Sequence, residues 1–235
     1  MIYKNTKELF NGLNLDLTSE QHHKFCDYEE LLLEWNKKIN LTSITDDHDI
    51  WIKHFVDSCT ISKYIKENDC IIDVGTGAGF PSLPLKIINP KIKLTLLDSL
   101  NKRINFLRTI CEQLMLENVD FVHGRAEDIA QNCEYREKYD VATARAVANM
   151  STLCEYCLPF VKKGGIFICM KAGNCKEEID SAKNAIKKLG GIIEKIEYFT
   201  LPNSDFDRTI IIIKKLDSTP KLYPRTAGIP SKKPL

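Results

Sequence analysis

The most informative absence in this chain of 235 residues is that of a long apolar segment. No run approaches the about 18–20 apolar residues that a membrane-spanning helix needs, so we expect no membrane anchor. The stretch from Met1 to Phe10 also lacks the apolar core that a secretory signal has. We therefore expect a cytoplasmic protein.

An excess of charge of either sign is missing as well. The chain has 33 Lys and Arg against 32 Asp and Glu, a net charge of +1, so any basic surface for a polyanionic partner must be local. Hydrophobic residues make up 43% and charged residues 28%, as in an ordinary globular protein. The length suits one domain with appendages, and no feature indicates an obligate protein partner.

Cysteine is abundant, but its pattern favours neither disulfides nor a metal. There are nine cysteines, an odd number at irregular spacing, which does not suit a disulfide framework. Cys154 and Cys157 form a CxxC pair, but Cys169 and Cys175 are too far apart in sequence to supply the second close pair of a zinc site. We predict no metal site and interpret the cysteines as small apolar fillers in a reducing compartment.

The N-terminal region predicts a helical extension over residues 1–48. A helix is expected over 18–40, because Thr18 and Gln21 fit a capping box and apolar residues follow at spacings of three and four. That stripe consists of Phe25, Tyr28, Leu32, Trp35 and Ile39. We expect it to pack against the domain that follows.

A second helix is expected from about residue 49 to 65. His54 and Asp57 lie three positions apart and therefore share one face of it. A catalytic His–Asp pair is not expected, because no serine or cysteine nucleophile with a matching elbow accompanies them.

From residue 70 onward, short apolar runs alternate with helical stretches, which predicts an α/β fold over residues 49–216 with a mainly parallel sheet of seven strands. The runs are 70–74, 92–97, 119–123, 139–143, 166–170, 192–198 and 209–213. The helical stretches are 81–89, 100–116, 126–132, 148–158 and 175–188. Only a loop joins the last two runs, so we expect the final strands to be antiparallel.

A glycine-rich loop follows the first strand. Gly75, Gly77 and Gly79 alternate after Asp73, which lets the backbone approach a ligand closely. A dinucleotide loop would carry its third glycine one residue later, where Phe80 stands, and a P-loop would need a Gly-Lys-Ser/Thr sequence. The loop therefore favours a nucleoside ligand without phosphates.

Acidic residues end the next two strands. Asp98 can accept both hydroxyls of a ribose, and the turn 124–128 can offer a backbone N–H and a carboxylate to an adenine edge. Asp128 could equally cap the following helix. Three strand ends would then line one crevice, where α/β sheets bind ligands.

The C-terminal stretch 217–235 is basic and rich in proline. Prolines 220, 224, 230 and 234 are expected to prevent a helix. An extended arm that neutralises phosphates and a solvated, disordered tail both remain open.

The combined motifs resemble the GidB family of bacterial 16S rRNA guanine-N7 methyltransferases. The matching stretches are 40–42, 54–58, 73–81, 101–103, 126–127, 144–148, 223–225 and 228–230. The resemblance implies a class I, Rossmann-like methyltransferase domain, S-adenosylmethionine as cofactor, and 16S rRNA in the small ribosomal subunit as partner. One departure is Ser82, where many relatives carry glycine.

With the strand-end carboxylate and the glycine loop included, the cofactor-binding residues implied are Gly75, Gly77, Phe80, Asp98, Ala126, Glu127 and Arg145. The candidates for RNA contact are Arg125, Lys171, Lys221, Arg225, Lys232 and Lys233. No catalytic residue is assigned, because guanine N7 carries a free lone pair and no proton. Arg145 is expected to position the cofactor, the guanine or a phosphate.

Two other functions stay open at this point. One is a methyltransferase for another RNA or a small molecule. The other is an RNA-binding module that no longer binds the cofactor. A cysteine-nucleophile methyltransferase is excluded, because the fourth strand ends in Thr143-Ala144-Arg145 without a suitably placed thiol.

Overall fold

Strand pairing turns the alternating sequence pattern into one sheet. The structure, a computed structural model, describes residues 6–145 and 148–235. Within these ranges the strands are β1 Cys70–Val74, β2 Lys93–Asp98, β3 Val119–His123, β4 Tyr139–Arg145, β5 Val161–Ala172, β6 Gly191–Thr200 and β7 Asp207–Lys215. Their order is β3-β2-β1-β4-β5-β7-β6. Strands β1 to β5 are parallel and β7 is antiparallel to both β5 and β6, as predicted.

Helices follow most strands on alternate faces. They are α1 Ser19–Asn36, α2 Asp47–Ile50, α3 Asp57–Cys59, α4 Ser82–Ile88, α5 Asn101–Gln113, α6 Ala126–Ile129, α7 Met150–Cys157, α8 Lys176–Lys188 and α9 Ile229–Lys232. A π-helical turn, Trp51–Val56, joins α2 to α3, and 3₁₀ turns occupy Thr6–Leu13, Ser62–Tyr64 and Leu158–Phe160. Within the described ranges, no helix combines the length and the apolar character that crossing a membrane requires.

Helix α1 begins with the predicted capping box and ends earlier than predicted. The Thr18 side chain accepts from the Gln21 backbone, and the Gln21 side chain accepts from the Thr18 N–H. The helix ends at Asn36 rather than near residue 40, because the Asn36 side chain accepts the backbone N–H groups of Leu41 and Thr42. Those two bonds turn the chain toward the sheet.

The N-terminal extension packs on one face of the sheet. Phe25, Tyr28 and Leu32 of α1 are fully buried and belong to the same apolar cluster as Leu83 and Phe106 of the sheet domain. Helices α7 and α8 cover the opposite face. The predicted stripe on α1 therefore meets the sheet domain.

Most of the cysteines pack as apolar residues, whereas Cys133 is exposed. All nine are unpaired, and Cys154 and Cys157, both on α7, are fully buried. Burial raises the pKa of both thiols well above the ordinary value, which keeps them protonated and unreactive.

The C-terminal stretch is held against α7, so the expectation of a solvated, disordered tail is wrong. That its basic residues neutralise phosphates stays a prediction. Arg225 donates from its backbone N–H and from its Nε and Nη2 atoms to the carboxylate of Glu155 on α7, at 2.6 to 3.2 Å. Glu155 is fully buried. A short helix also forms at Ile229–Lys232, because Pro230 lies in its first turn, where proline removes no helical hydrogen bond.

This buried ion pair predicts how the C-terminal stretch is held. Arg225→Met keeps the aliphatic bulk and leaves the Glu155 carboxylate buried without its partner. We expect the free energy of unfolding to fall by about 2–4 kcal/mol, measured by urea titration with circular dichroism. Lys221→Met, an exposed change in the same stretch, should alter it by less than about 0.5 kcal/mol. Equal effects of the two variants would contradict a structural role for the pair.

Candidate active site

A crevice lies over the carboxyl ends of the central parallel strands. Gly75, directly after β1, lines two adjoining chambers of about 470 Å³ and about 170 Å³. Open parallel sheets bind their ligands at this edge, because helix starts and strand-end side chains converge there. The crevice is therefore the candidate active site.

The smaller chamber brings together Asp98, Ala126 and Glu127. The Asp98 carboxylate accepts the backbone N–H of Gly77 and of Leu100, each at 2.9 Å. Oδ2 also accepts a longer bond from Arg103 Nη1 at 3.4 Å, whereas Oδ1 keeps a second lone pair that can accept a hydroxyl of a ligand. The same bonds fix the glycine loop against the end of β2.

Glu127 has a partner that sequence patterns did not reveal. This buried carboxylate accepts the backbone N–H of Gly228 at 2.9 Å, and Tyr156 of α7 lines the same chamber. The C-terminal stretch thus supports one wall of the chamber. In the sequence, only the matching stretch 228–230 drew attention to this region, and no function was assigned to it.

The glycine loop is supported from behind by helix α1. Gly75, Gly77 and Gly79 all have positive φ, at 72°, 61° and 97°. A Cβ on Gly79 would lie 2.7 Å from the Tyr28 hydroxyl and 2.6 Å from a Leu83 methyl, so only glycine fits there. The Tyr28 hydroxyl donates to the carbonyl of Ala78. A residue predicted only as part of an apolar stripe thereby shapes the loop.

In the larger chamber, Arg145 joins β4 to the helical segment that contains His54 and Asp57. Its Nη1 donates to Asp57 Oδ2 at 3.1 Å and to the Lys53 carbonyl at 3.2 Å, and its Nη2 lies 3.1 Å from His54 Nδ1. Asp57 also accepts from Arg208 Nε at 3.0 Å. The spacing of His54 and Asp57 predicts one shared helix face, but no local pattern indicates Arg145 as their common partner.

His54 is neutral in this arrangement. Burial, reinforced by the Arg145 charge, lowers the pKa of His54 to about 3. Its ring stacks on Phe80, with centroids 4.4 Å apart and an angle of 15°, while the Arg145 guanidinium lies 5.0 Å from the centre of the same ring. Phe80 and Arg145 therefore line the larger chamber, apart from Ala126 and Glu127 in the smaller one.

Asp73 is a buried carboxyl without a hydrogen-bond partner among the described residues. The hydroxyls of Thr76 and Ser82 lie close enough to favour its charged form, but neither makes a hydrogen bond of normal geometry with it. Burial prevails and raises the pKa of Asp73 to about 7. Ser82, the departure noted in the sequence, thus lies beside this carboxyl.

The candidates for RNA contact divide by position. Arg125 lines the smaller chamber, and Lys171 lines the larger one while it pairs with Glu178 at 2.6 Å. Arg225 is engaged by Glu155, and the remaining three candidates are exposed on the C-terminal stretch. Those three are Lys221, Lys232 and Lys233. Residues 146 and 147 of the strand-four motif lie outside the described residues.

One family model and two relatives agree in the protein family to which they relate this chain. Residues 21–208 match the GidB family model, described as rRNA small subunit methyltransferase G. Two relatives share the name ribosomal RNA small subunit methyltransferase G. The one from Alkaliphilus oremlandii is 55% identical over 97% of both chains, and the one from Bacillus subtilis is 49% identical over 98% of this chain and 99% of its own.

Solved structures show the same fold at low identity. M. jannaschii TYW2 in complex with AdoMet has a TM-score of 0.54 at 15% identity, over 68% of this chain and 75% of its own. The [4+2]-cyclase SpnF has a TM-score of 0.58 at 14% identity, over 84% and 97%. The expected class I methyltransferase fold is confirmed.

The buried Asp73 carboxyl predicts a pH-dependent stability. Its pKa is higher in the folded chain than its ordinary value of 3.8, so its contribution to stability is complete below about pH 4 and is lost as the pH rises through about 7. Asp73→Asn, which stays neutral, should raise the free energy of unfolding at pH 8 by about 2–4 kcal/mol. That gain should shrink as the pH falls towards 4. Asp120→Asn, an exposed control, should show no such dependence in the same urea titrations.

Proposed function

The chain belongs to the GidB family of small-subunit rRNA methyltransferases, and on that premise we propose that its crevice aligns N7 of one guanine in 16S rRNA with the methyl group of S-adenosylmethionine. The protein is an S-adenosylmethionine-dependent rRNA methyltransferase. The proposal concerns the atom that is methylated, the residues that hold cofactor and base, and the assembled small subunit as the substrate.

The charge of the larger chamber carries the proposal. Among the described residues that line it, five are cationic and only Asp57, which pairs with two of them, is acidic. The other three cations pair with Asp49, Asp98 and Glu178, which lie outside the lining of this chamber. The cations are Lys53, Arg103, Arg145, Lys171 and Arg208. A local concentration of cations beside a nucleoside-sized chamber favours a polyanionic nucleic acid over a small neutral substrate.

The smaller chamber and the glycine loop suit S-adenosylmethionine. The bound cofactor supplies a methyl group on a positively charged sulfur. Asp98 Oδ1 retains a lone pair for a ribose hydroxyl, and the start of α6 at Ala126 and Glu127 can contact the adenine edge. Asp73, buried without a partner among the described residues, gives the loop a carboxyl that a cationic amine would stabilise in its charged form.

The residues of the larger chamber align the reactants and do not act as bases. His54 cannot take up a proton near neutral pH, because its pKa is lowered to about 3 and its Nδ1 faces Arg145. No general base is needed, since guanine N7 has no proton to lose. Alignment can contribute roughly 7–11 kcal/mol in the best intramolecular cases. The Asp57 carboxylate, which lines the chamber, pairs with Arg145 and Arg208 and so offsets the charge of these two guanidiniums beside the base.

An activity assay tests the proposed function. Purified protein with labelled S-adenosylmethionine and 30S subunits that lack the modification should yield labelled 7-methylguanosine at one nucleotide, identified by digestion and mass spectrometry. Subunits already modified at that nucleotide serve as the control and should accept no label. Label in another nucleoside, or no label in either sample, would contradict the proposal.

The role of Asp98 can be measured without RNA. Asp98→Asn removes a charge-assisted acceptor at the end of β2, so we expect the Kd for S-adenosylmethionine to rise about 10- to 100-fold by calorimetry. Asp120→Asn on β3 makes the same chemical change at an exposed position and should leave the Kd unchanged. An unchanged Kd for Asp98→Asn would remove this residue from the proposed cofactor site.

A further inference from the structure

Thr42 lies in the loop between α1 and α2 and lines the larger chamber. It belongs to the matching stretch 40–42, to which the sequence assigned no role. Its Oγ1 lies 2.9 Å from His54 Nε2 and accepts the backbone N–H of Ile44 at 3.0 Å. These two contacts decide what the hydroxyl can do.

The direction of the bond between His54 and Thr42 follows from Arg145. A guanidinium has only donors, so the contact at 3.1 Å makes His54 Nδ1 an acceptor. A neutral imidazole carries one proton, which must then lie on Nε2. His54 therefore donates to Thr42, and the stacking of its ring on Phe80 holds it in that orientation.

Thr42 is thereby left with one hydrogen-bonding capacity. Both lone pairs of its oxygen are occupied, by His54 Nε2–H and by the Ile44 N–H. The hydroxyl proton has no acceptor in residues 6–145 or 148–235, and the side chain is half-buried in the wall of the chamber. The hydroxyl can therefore only donate, and a ligand bound in the chamber can accept that hydrogen bond.

We propose that the Thr42 hydroxyl donates to O6 of the target guanine and so selects guanine over adenine. This rests on the proposed function. On the edge that carries N7, guanine presents two acceptors, N7 and O6, whereas adenine presents N7 beside an N6 amino donor. A hydroxyl that can only donate forms a hydrogen bond with O6 of guanine. It cannot form one with the N6 amino group of adenine, which is also a donor.

Arg145 and His54 are positioning residues in this proposal. They do not contact the base; they determine that Thr42 donates. The contact between Arg145 and His54 thus has a role beyond packing. If the proton of His54 were on Nδ1, the Thr42 hydroxyl would donate to Nε2 and could accept a hydrogen bond from a ligand. Selection by hydrogen bonding is strong, since the wrong base leaves polar groups unpaired.

The test compares two target bases and three variants. The target nucleotide is placed by ligation of a synthetic RNA fragment, as guanine or as 2-aminopurine, which keeps N7 and the 2-amino group but lacks O6. Thr42→Val removes the hydroxyl, Thr42→Ser restores it, and Thr45→Val makes the same change as the first at an exposed position of the loop. The readouts are kcat/KM for each substrate and the Kd for S-adenosylmethionine.

On the guanine substrate, Thr42→Val should lower kcat/KM by about 10- to 100-fold. Thr42→Ser should recover to within about threefold, and Thr45→Val should match the unmodified enzyme. On the 2-aminopurine substrate, Thr42→Val and the unmodified enzyme should agree within about threefold, because the partner of the hydroxyl is absent from both. The Kd for S-adenosylmethionine should not change.

Other outcomes would overturn the proposal. A packing or folding role for Thr42 predicts an equal loss on both substrates, and a cofactor role predicts a raised Kd for S-adenosylmethionine. Either result, with the unmodified enzyme active on guanine, would overturn the Thr42 proposal alone. Failure of the unmodified enzyme on the guanine substrate would overturn the proposed function, and this proposal with it.

Discussion

The site depends on the burial of one guanidinium. Arg145 ends β4, and its side chain is only 13% exposed, so its charge must be matched by hydrogen bonds within the protein. The Asp57 carboxylate, the Lys53 carbonyl and His54 supply them, and all three come from one helical segment ahead of the sheet domain. A change at any of these positions would leave a charge or a donor buried without its partner. The interaction therefore fixes the N-terminal segment over the strand ends.

This arrangement separates two tasks. The smaller chamber, with Asp98 and Glu127, has the acceptors that a nucleoside needs, whereas the larger one is cationic and has an aromatic floor at Phe80. Gly75 lines both chambers. The proposed methyl transfer, to a base that needs no deprotonation, requires alignment above all, and the packing around Arg145 and Phe80 suits that requirement.

The two ends of the chain serve the site by opposite means. The N-terminal helix α1 supports the glycine loop through Tyr28 and apolar packing, so its role follows from a stripe of hydrophobic residues. The C-terminal stretch has few apolar residues and is held instead by the buried pair of Arg225 and Glu155 and by a backbone bond from Gly228 to Glu127. Polar fixation of this kind is directional, and it orients the Glu127 carboxylate in the chamber wall.

Features that depend on residues close together in the chain could be predicted from the sequence. Strand and helix periods, the capping box at Thr18 and the positive φ of the glycines each depend on neighbours within a few positions, and the predicted strands and the helices between them agree with the structure apart from their ends. The same holds for the three strand ends that form the crevice, because parallel strands place their carboxyl ends together. The single helix predicted over 49–65 is wrong, because that segment is divided into α2, a π-helical turn, α3 and a 3₁₀ turn.

What only the tertiary structure decided is the pairing of polar side chains that lie far apart in the sequence. Arg145 meets Asp57 across 88 positions and Arg225 meets Glu155 across 70, and no local pattern specifies either partner. Such pairs form only where the fold removes both groups from water, so their roles follow from burial, which a sequence does not state. The sequence by itself indicated which ligand class the glycine loop suits, and the fold decided which side chains face the crevice.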